Sequence, residues 1–501
     1  MDLKITHLPL IVHLFGVIFF SMLFPSAFAL SLEEFSTARS FFYSSILGLF
    51  VYFLICIATS NREINENYLN QLFSLVLSFF LLPIILAIPM YETINDQSFL
   101  NCYLDMVSSM TTTGFVVFDP KEVSIILHFW RALVAWLGGA LMLGAAIAIL
   151  APMRLGGEEL VEKSSNQEIN FLSSKERKQF LKRSFATIIP IYTMLTLILC
   201  FCLYLSGLSG FDSLIFAMSV LSTSGIEGGV GLDELNSNWS SEIIIFIFLL
   251  FAISRPRLEG KFNRFFELDY FLKPEFRLGC FIIIGCTFVI FFQQWISSGF
   301  IFETIWEWKI LESLWGNFFT ITSLLTTTGW HSNYWHSSFE FTNSSIPTLL
   351  CLGLVLIGGG VATTAGGVKI LRIYSLYLNA SREVQFLIHP SSVGGIKGIN
   401  KQSLLTGAYN AWLFFMLFFI SLAVVTLCFS AGGLNFEGAL LMSISALSTT
   451  GPLIDLVSYD SLKVLEFGNF NKIVLCFSMI LGKLEVLVIL SLFNPNVWNN
   501  Y

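Results

Sequence analysis

Four short segments of this chain repeat one chemical theme. They are Thr111-Thr112-Thr113-Gly114, Ser222-Thr223-Ser224-Gly225, Thr326-Thr327-Thr328-Gly329 and Ser448-Thr449-Thr450-Gly451. Their glycines are separated by 111, 104 and 122 residues. Each segment closes an apolar stretch of about 12–15 residues, too short to cross a bilayer as a helix. Irregular backbone at membrane depth is tolerated only inside protein or along a water-filled path. Four such turns around one axis would form rings of backbone carbonyls, which replace the hydration shell of a monovalent cation. Glycine permits backbone conformations that a Cβ opposes, and Thr and Ser steady the turn by local hydrogen bonds. The C-terminal end of each half-helix directs partial negative charge at the ion. A single hydroxyl-Gly cluster also serves simple helix packing. Four copies in one topological slot point to a cation path instead.

Other residues suit such a path. The run Gly358-Gly359-Gly360-Val361-Ala362-Thr363-Thr364-Ala365-Gly366-Gly367 interrupts an apolar segment. Each Gly costs a helix about 1 kcal/mol relative to Ala, so the run predicts an unwound loop that lines a cavity or is buried. Close helix packing through small residues is the competing reading. Lys483 lies in the apolar run Ile473–Phe493, and an intramembrane charge is by default functional. Its alternatives are a structural pair with Glu485 or snorkelling to the interface. Arg131 is read as an anchor that snorkels at the outer end of its span. Glu227 and His331 flank the second and third motifs, as solvated rim residues or as a cation-attracting acid and a proton-sensitive imidazole.

The elements that must position these residues follow from composition. The chain has 501 residues, of which 55% are hydrophobic and 12% charged, with 52 Phe. A soluble domain carries about 25% charged residues. This composition excludes a soluble enzyme, a nucleic-acid binder and a disordered chain. The nine Cys form no Cys-x-x-Cys and the six His no His-Glu-x-x-His pattern. No transition-metal site and no covalent cofactor is expected, and the Cys read as small buried hydrophobes.

Apolar runs predict an all-α polytopic membrane protein of about ten spans, near 8–30, 41–59, 71–91, 123–151, 185–207, 241–255, 276–296, 346–373, 405–430 and 470–493. The four short motif-bearing stretches lie between spans. The repeating unit is therefore helix, half-helix, turn, helix. The expected divisions are two leading helices over 1–65, then pore repeats over 66–155, 156–258, 259–385 and 386–501. Most of the 27 Lys and Arg lie in 154–183, 255–277 and 369–401, which should be cytoplasmic. Ten spans then put both termini in the cytoplasm. The opposite side carries an acidic excess, with Glu92, Asp105, Asp119, Asp212, Glu227, Glu242 and Glu437 among its acids and only Lys121, Lys309, Lys463 and Lys472 against them. Such a mouth concentrates cations.

At the four motifs the sequence resembles the potassium transporter superfamily of Trk, Ktr and plant high-affinity transporters, and within it the bacterial TrkH-type subunit. Further segments carry that resemblance: Phe129-Trp130-Arg131, Trp136-Leu137-Gly138-Gly139, Lys273-Pro274-Glu275-Phe276-Arg277, Ile388-His389-Pro390 and Leu481-Gly482-Lys483-Leu484-Glu485. The two leading spans favour the TrkH form over the eight-span Ktr form. The resemblance implies a single-chain pore of four pseudo-repeats in a bacterial inner (plasma) membrane, transporting K+. It implies a homodimer in membrane lipid and a cytoplasmic nucleotide-binding regulatory ring of the TrkA type. It also implies that potassium is coordinated by the carbonyls of Thr112 and Thr113, Thr223 and Ser224, Thr327 and Thr328, and Thr449 and Thr450. Gly114 leans toward potassium, since Ser at the first filter Gly goes with sodium preference in the superfamily. The Gly-rich run becomes the intramembrane loop that blocks the path, and Lys483 stands where the family commonly has a pore-facing Arg.

Two other functions bear on the same residues. A sodium-preferring or ion-coupled symporter would use the same scaffold. A polytopic membrane enzyme needs a convergent acid–base set, which the repeated hydroxyl-Gly element does not supply.

Overall fold

Runs of apolar residues longer than the bilayer core is thick form helices, because only a helix satisfies every backbone group within its own segment. The computed structural model describes residues 10–59, 68–94, 97–121, 123–150, 174–229, 239–253, 273–297, 307–342, 345–361, 363–388, 401–457, 463–486 and 488–489. Among them there is no strand. Two leading helices come first, α1 (Leu10–Ser31) and α2 (Phe35–Thr59). The first repeat holds α3 (Tyr68–Thr93), the short α4 (Phe99–Met110) and α5 (Ile125–Ala145), which runs on through a π-turn. The second holds α6 (Ser174–Leu205), α7 (Gly210–Ser222) and α8 (Trp239–Leu249). The third holds α9 (Pro274–Ser297), α10 (Glu307–Leu325), the small α11 (Tyr334–Thr342), α12 (Thr348–Ile357) and α13 (Ile370–Ile388). The fourth holds α14 (Lys401–Ala431), α15 (Phe436–Leu447), the five-residue α16 (Leu453–Val457) and α17 (Asn469–Leu484).

The protein is thus an all-α polytopic membrane protein of four helix–pore-loop–helix pseudo-repeats. Seven described helices are long and apolar enough to cross a membrane. Several predicted spans form helices at least as long as their apolar runs, and one is interrupted. The run 346–373 ends as a helix at Ile357 and resumes only at Ile370. Its intervening glycines do not hold helical geometry. The pore helix α10 is longer than its stretch predicted, 19 residues against 12 for α4 and α15.

Burial sorts the helices by position. Within the apolar window of α5, 67% of residues are buried, against 28% in α6 and in α14 and 33% in α9. The outer helices expose large apolar groups such as Leu197, Phe281 and Leu427, which suits a lipid-facing surface. Helix α5 packs against both α4 and α7, and α17 against α15 and α4. The leading pair packs on the first repeat, where Phe28 meets Phe129 edge-on with ring centroids 4.9 Å apart.

Short polar caps start two of the pore helices. Ser98 accepts from the Asn101 amide, and Ser209 accepts from the Asp212 amide while donating to its carboxylate. These caps satisfy N-terminal donors that have no partner within the helix. Most of the basic stretches 154–183 and 255–277, residues 389–400 and both chain ends lie outside the described residues.

Candidate functional site

Each pore helix ends in the same turn. The amides of Thr113, Ser224, Thr328 and Thr450 donate to the carbonyls of Ser108, Ser219, Ser323 and Ser445, at 2.8, 3.0, 2.9 and 2.9 Å. The residue before each donor takes a left-handed conformation: φ is 54° at Thr112, 52° at Thr223, 57° at Thr327 and 53° at Thr449. For a β-branched residue this conformation is rare and costs of order 1–3 kcal/mol. Four equivalent occurrences mark a geometry imposed by the site. The first hydroxyl of each motif bonds back to the preceding helical turn. Thr111 Oγ1 donates to Val107 O at 2.8 Å, Ser222 Oγ to Met218 O at 2.8 Å, Thr326 Oγ1 to Thr322 O at 2.9 Å and Ser448 Oγ to Ile444 O at 2.5 Å.

The four turns close into a ring. A Cβ on Gly114 would lie 1.8 Å from the Ser224 carbonyl oxygen, and one on Gly225 would lie 2.2 Å from that of Thr328. One on Gly329 would lie 3.0 Å from Thr450 Cγ2, and one on Gly451 would lie 2.4 Å from the Phe115 amide nitrogen. Each motif therefore touches the next, and the fourth returns to the first. At Gly114, Gly225 and Gly451 glycine is required because backbone of the neighbouring motif occupies the space of a side chain. The fourth motif differs in detail. Gly114, Gly225 and Gly329 have positive φ, and Gly451, which precedes Pro452, does not. Its amide donates to the Thr113 carbonyl at 2.6 Å. The Thr450 carbonyl accepts from Ser445 Oγ at 2.6 Å. A carbonyl oxygen has a second lone pair, so both retain acceptor capacity.

The Gly-rich segment is unwound and lies against this ring. Helix α12 stops at Gly358, where φ is 70° and a Cβ would lie 2.1 Å from the Gly366 carbonyl. The loop is fixed by Gly360 N to Ala252 O at 3.1 Å and by Val361 N to Glu275 Oε1 at 3.3 Å. Thr363 Oγ1 donates to Gly360 O at 2.7 Å, Ala365 is buried, and the loop closes back as Ile370 N donates to Gly359 O at 3.1 Å. It touches three of the four motifs directly. Thr223 Oγ1 donates to Thr364 Oγ1 at 3.1 Å, and Gly366 N donates to Thr327 Oγ1 at 2.7 Å. A Cβ on Gly366 would lie 2.0 Å from the Ser448 carbonyl oxygen and 2.4 Å from Thr449 Oγ1. Lys483 Nζ bridges the remaining side, donating to Thr364 O at 2.6 Å and to Thr112 Oγ1 at 2.5 Å. Gly367 has φ 78° and closes onto Gly358. Lys369 donates to the Ala365 carbonyl. Ala362 lies outside the described residues.

A family model described as TrkH, cation transport protein, matches residues 41–499. The chain belongs to the TrkH family. It is 26% identical over 481 residues to the Trk system potassium uptake protein TrkH of Salmonella typhimurium, covering 92% of this chain and 91% of that one. It is 27% identical over 430 residues to the Trk system potassium uptake protein TrkI of Halomonas elongata, covering 84% and 81%. The fold is similar to that of the crystal structure of the potassium transporter TrkH from Vibrio parahaemolyticus, with TM-score 0.82, 23% identity and coverage of 99% and 100%. As a member of a transport family, the chain is not an enzyme.

Some readings of single residues are corrected within this TrkH-family fold. Arg131 does not snorkel. It is buried, with Nε 3.1 Å from the Asp105 carboxylate, and it donates from Nη2 to the Phe115 carbonyl at 2.8 Å. Asp105 is not part of an acidic mouth, because it faces inward from α4 and is fully buried. Glu242 is buried as well, accepting from Trp315 Nε1 at 2.6 Å, Ser332 Oγ at 2.8 Å and the Asn333 amide at 3.1 Å. Loop-flanking position in the sequence made both acids look solvated. Lys483 does not pair with Glu485, whose carboxylate is 2.6 Å from Arg372 Nη2.

Other site residues were missed. A Ser stands six residues before each of the four glycines, at 108, 219, 323 and 445. Ser108 Oγ accepts from the Phe115 amide at 2.7 Å, and Ser219 Oγ lies 3.1 Å from Ser224 Oγ. The fourfold spacing was the signal. Gly138 and Gly482, both in segments that carry the resemblance, share a device: a Cβ would lie 2.1 Å from the Met110 carbonyl oxygen and 2.2 Å from that of Leu447, the last residues of α4 and α15. Each inner helix thereby reaches the end of its own pore helix.

Proposed function

We propose that this chain takes up potassium across the inner (plasma) membrane, through a filter of backbone carbonyls contributed by Thr112, Thr113, Thr223, Ser224, Thr327, Thr328, Thr449 and Thr450. The carrying observation is the closed ring of four turns with left-handed Thr at the same place in each. A ring of carbonyl dipoles substitutes for the hydration shell of the ion. The repeats divide near 66–155, 156–258, 259–385 and 386–501. The relatives named as potassium uptake proteins support K+ as the transported ion.

The loop around 358–367 and Lys483 act as the gate in this reading. Their support is contact with all four motifs from one side. An ammonium held against the path repels an approaching cation, and opening requires the loop and Lys483 to separate from the hydroxyls of Thr112, Thr223 and Thr327. The basic stretches face the cytoplasm with both termini, where a TrkA-type nucleotide-binding ring would act on the gate. A homodimer in lipid completes the assembly. Potassium-limited growth of a transport-deficient host, with and without a regulatory subunit, tests the function. Rescue is expected, and absence of rescue under both conditions overturns the assignment.

A further inference from the structure

Two sets of contacts run in opposite directions between the second and third repeats. The first starts at Glu242, in the first turn of α8. Its carboxylate is fully buried, which is tolerated only when donors surround it. They come from the third repeat: Trp315 on its pore helix, and Ser332 and Asn333 just beyond its motif. One carboxylate from repeat two therefore holds the segments on both sides of the third turn. The return contact is Trp330, the residue directly after Gly329. Its indole N–H donates to the Gly225 carbonyl of repeat two at 3.0 Å, and its buried ring packs edge-on against Phe216 at 5.4 Å. Only His331 separates Trp330 from Ser332, so the two sets of contacts form one closed mechanical loop. The first repeat uses a different device, Arg131 with Asp105, which acts within that repeat alone.

We propose that Glu242 is a positioning residue that, with Trp330, fixes the spacing of the second and third filter strands and thereby sets the preference for potassium over sodium. The proposal rests on the filter reading above. The spacing and rigidity of coordinating carbonyls govern which ion is accommodated. An oriented charged acceptor holding three donors restricts that spacing more than neutral contacts do. Gln at 242 has one acceptor oxygen for three donors, so with that oxygen on Trp315 and Ser332 its NH2 faces the Asn333 amide.

The test uses the full chain reconstituted in liposomes and measures how well K+ and Na+ compete with Rb+ uptake. Glu242→Gln is expected to lower the K+-over-Na+ preference about fivefold, the scale of one lost oriented hydrogen bond. Trp330→Phe keeps an aromatic ring against Phe216 and removes the N–H bond to Gly225 without leaving a buried carboxylate unsatisfied, and it is expected to shift the preference in the same direction. Thermal stability of each variant is recorded alongside. Unchanged preference in Trp330→Phe and in any folded Glu242→Gln overturns the tie while leaving the filter intact. A wild-type protein whose uptake shows no preference for K+ overturns the filter reading and this proposal together.

Discussion

The ammonium of Lys483 lies 2.6 Å from the carbonyl oxygen of Thr364, and so joins the last helix of the fourth repeat to the loop of the third. The same nitrogen reaches the hydroxyl of Thr112 in the first repeat. One side chain thus holds the loop and one wall of the ring together, with a positive charge at the contact.

Removing that charge should speed transport. Two unit charges at about 4 Å interact by about 4 kcal/mol at an effective dielectric constant of about 20, and even part of this is a large barrier. Lys483→Gln is expected to raise the initial uptake rate on the order of tenfold and to weaken dependence on a regulatory subunit. Initial rates normalised to protein amount check this. Reduced yield with normal kinetics would instead make Lys483 purely structural.

Gly114→Ser should damage selectivity. Its Cβ would lie 1.8 Å from the Ser224 carbonyl oxygen, so that carbonyl must move. The expected result is a lower ratio of K+ to Na+ uptake, measured with both ions in competition. Unchanged relative uptake would remove Gly114 from the filter.

The pair Arg131–Asp105 should matter first for stability. Breaking a buried pair by removing one partner costs about 3–5 kcal/mol. Arg131→Met is expected to lower the thermal midpoint of the purified protein sharply. Adding Asp105→Asn should recover part of the loss, because the stranded carboxylate is gone. The Phe115 carbonyl stays without its guanidinium donor in both variants, so ion preference is not expected to recover with stability.

The chain's apolar runs and its four hydroxyl-Gly motifs made the helical scaffold and the ring legible, since bilayer thickness and the needs of a tight turn are written in local residue types. The loop after Ile357 was legible for the same reason, through its glycines. Pairings between distant elements were not. Arg131 finding Asp105, and Glu242 finding Trp315 and Ser332, depend on how repeats pack, and each charge sits where the sequence alone suggests a water-facing helix end. The Ser before each motif was hidden differently: within an apolar helix, Ser108 or Ser445 looks like a small packing residue until the four copies are aligned on their glycines.

Those serines offer a contrast between repeats. Ser445 Oγ donates to the Thr450 carbonyl at 2.6 Å, whereas Ser323 Oγ is buried with no hydrogen-bond partner. Ser445→Ala is expected to cost about 1 kcal/mol, and Ser323→Ala close to nothing. Thermal unfolding in detergent compares the two directly, and equal losses would show that the side-chain bond contributes nothing.

The four turns are expected to hold the ion by their carbonyls. Crystals of the protein grown with Rb+ as a stand-in for K+ test this by anomalous diffraction. The expected result is a peak on the axis of the ring, bounded by the residues preceding Gly114, Gly225, Gly329 and Gly451. A protein that transports Rb+ yet binds it only away from those four turns would contradict coordination by their carbonyls.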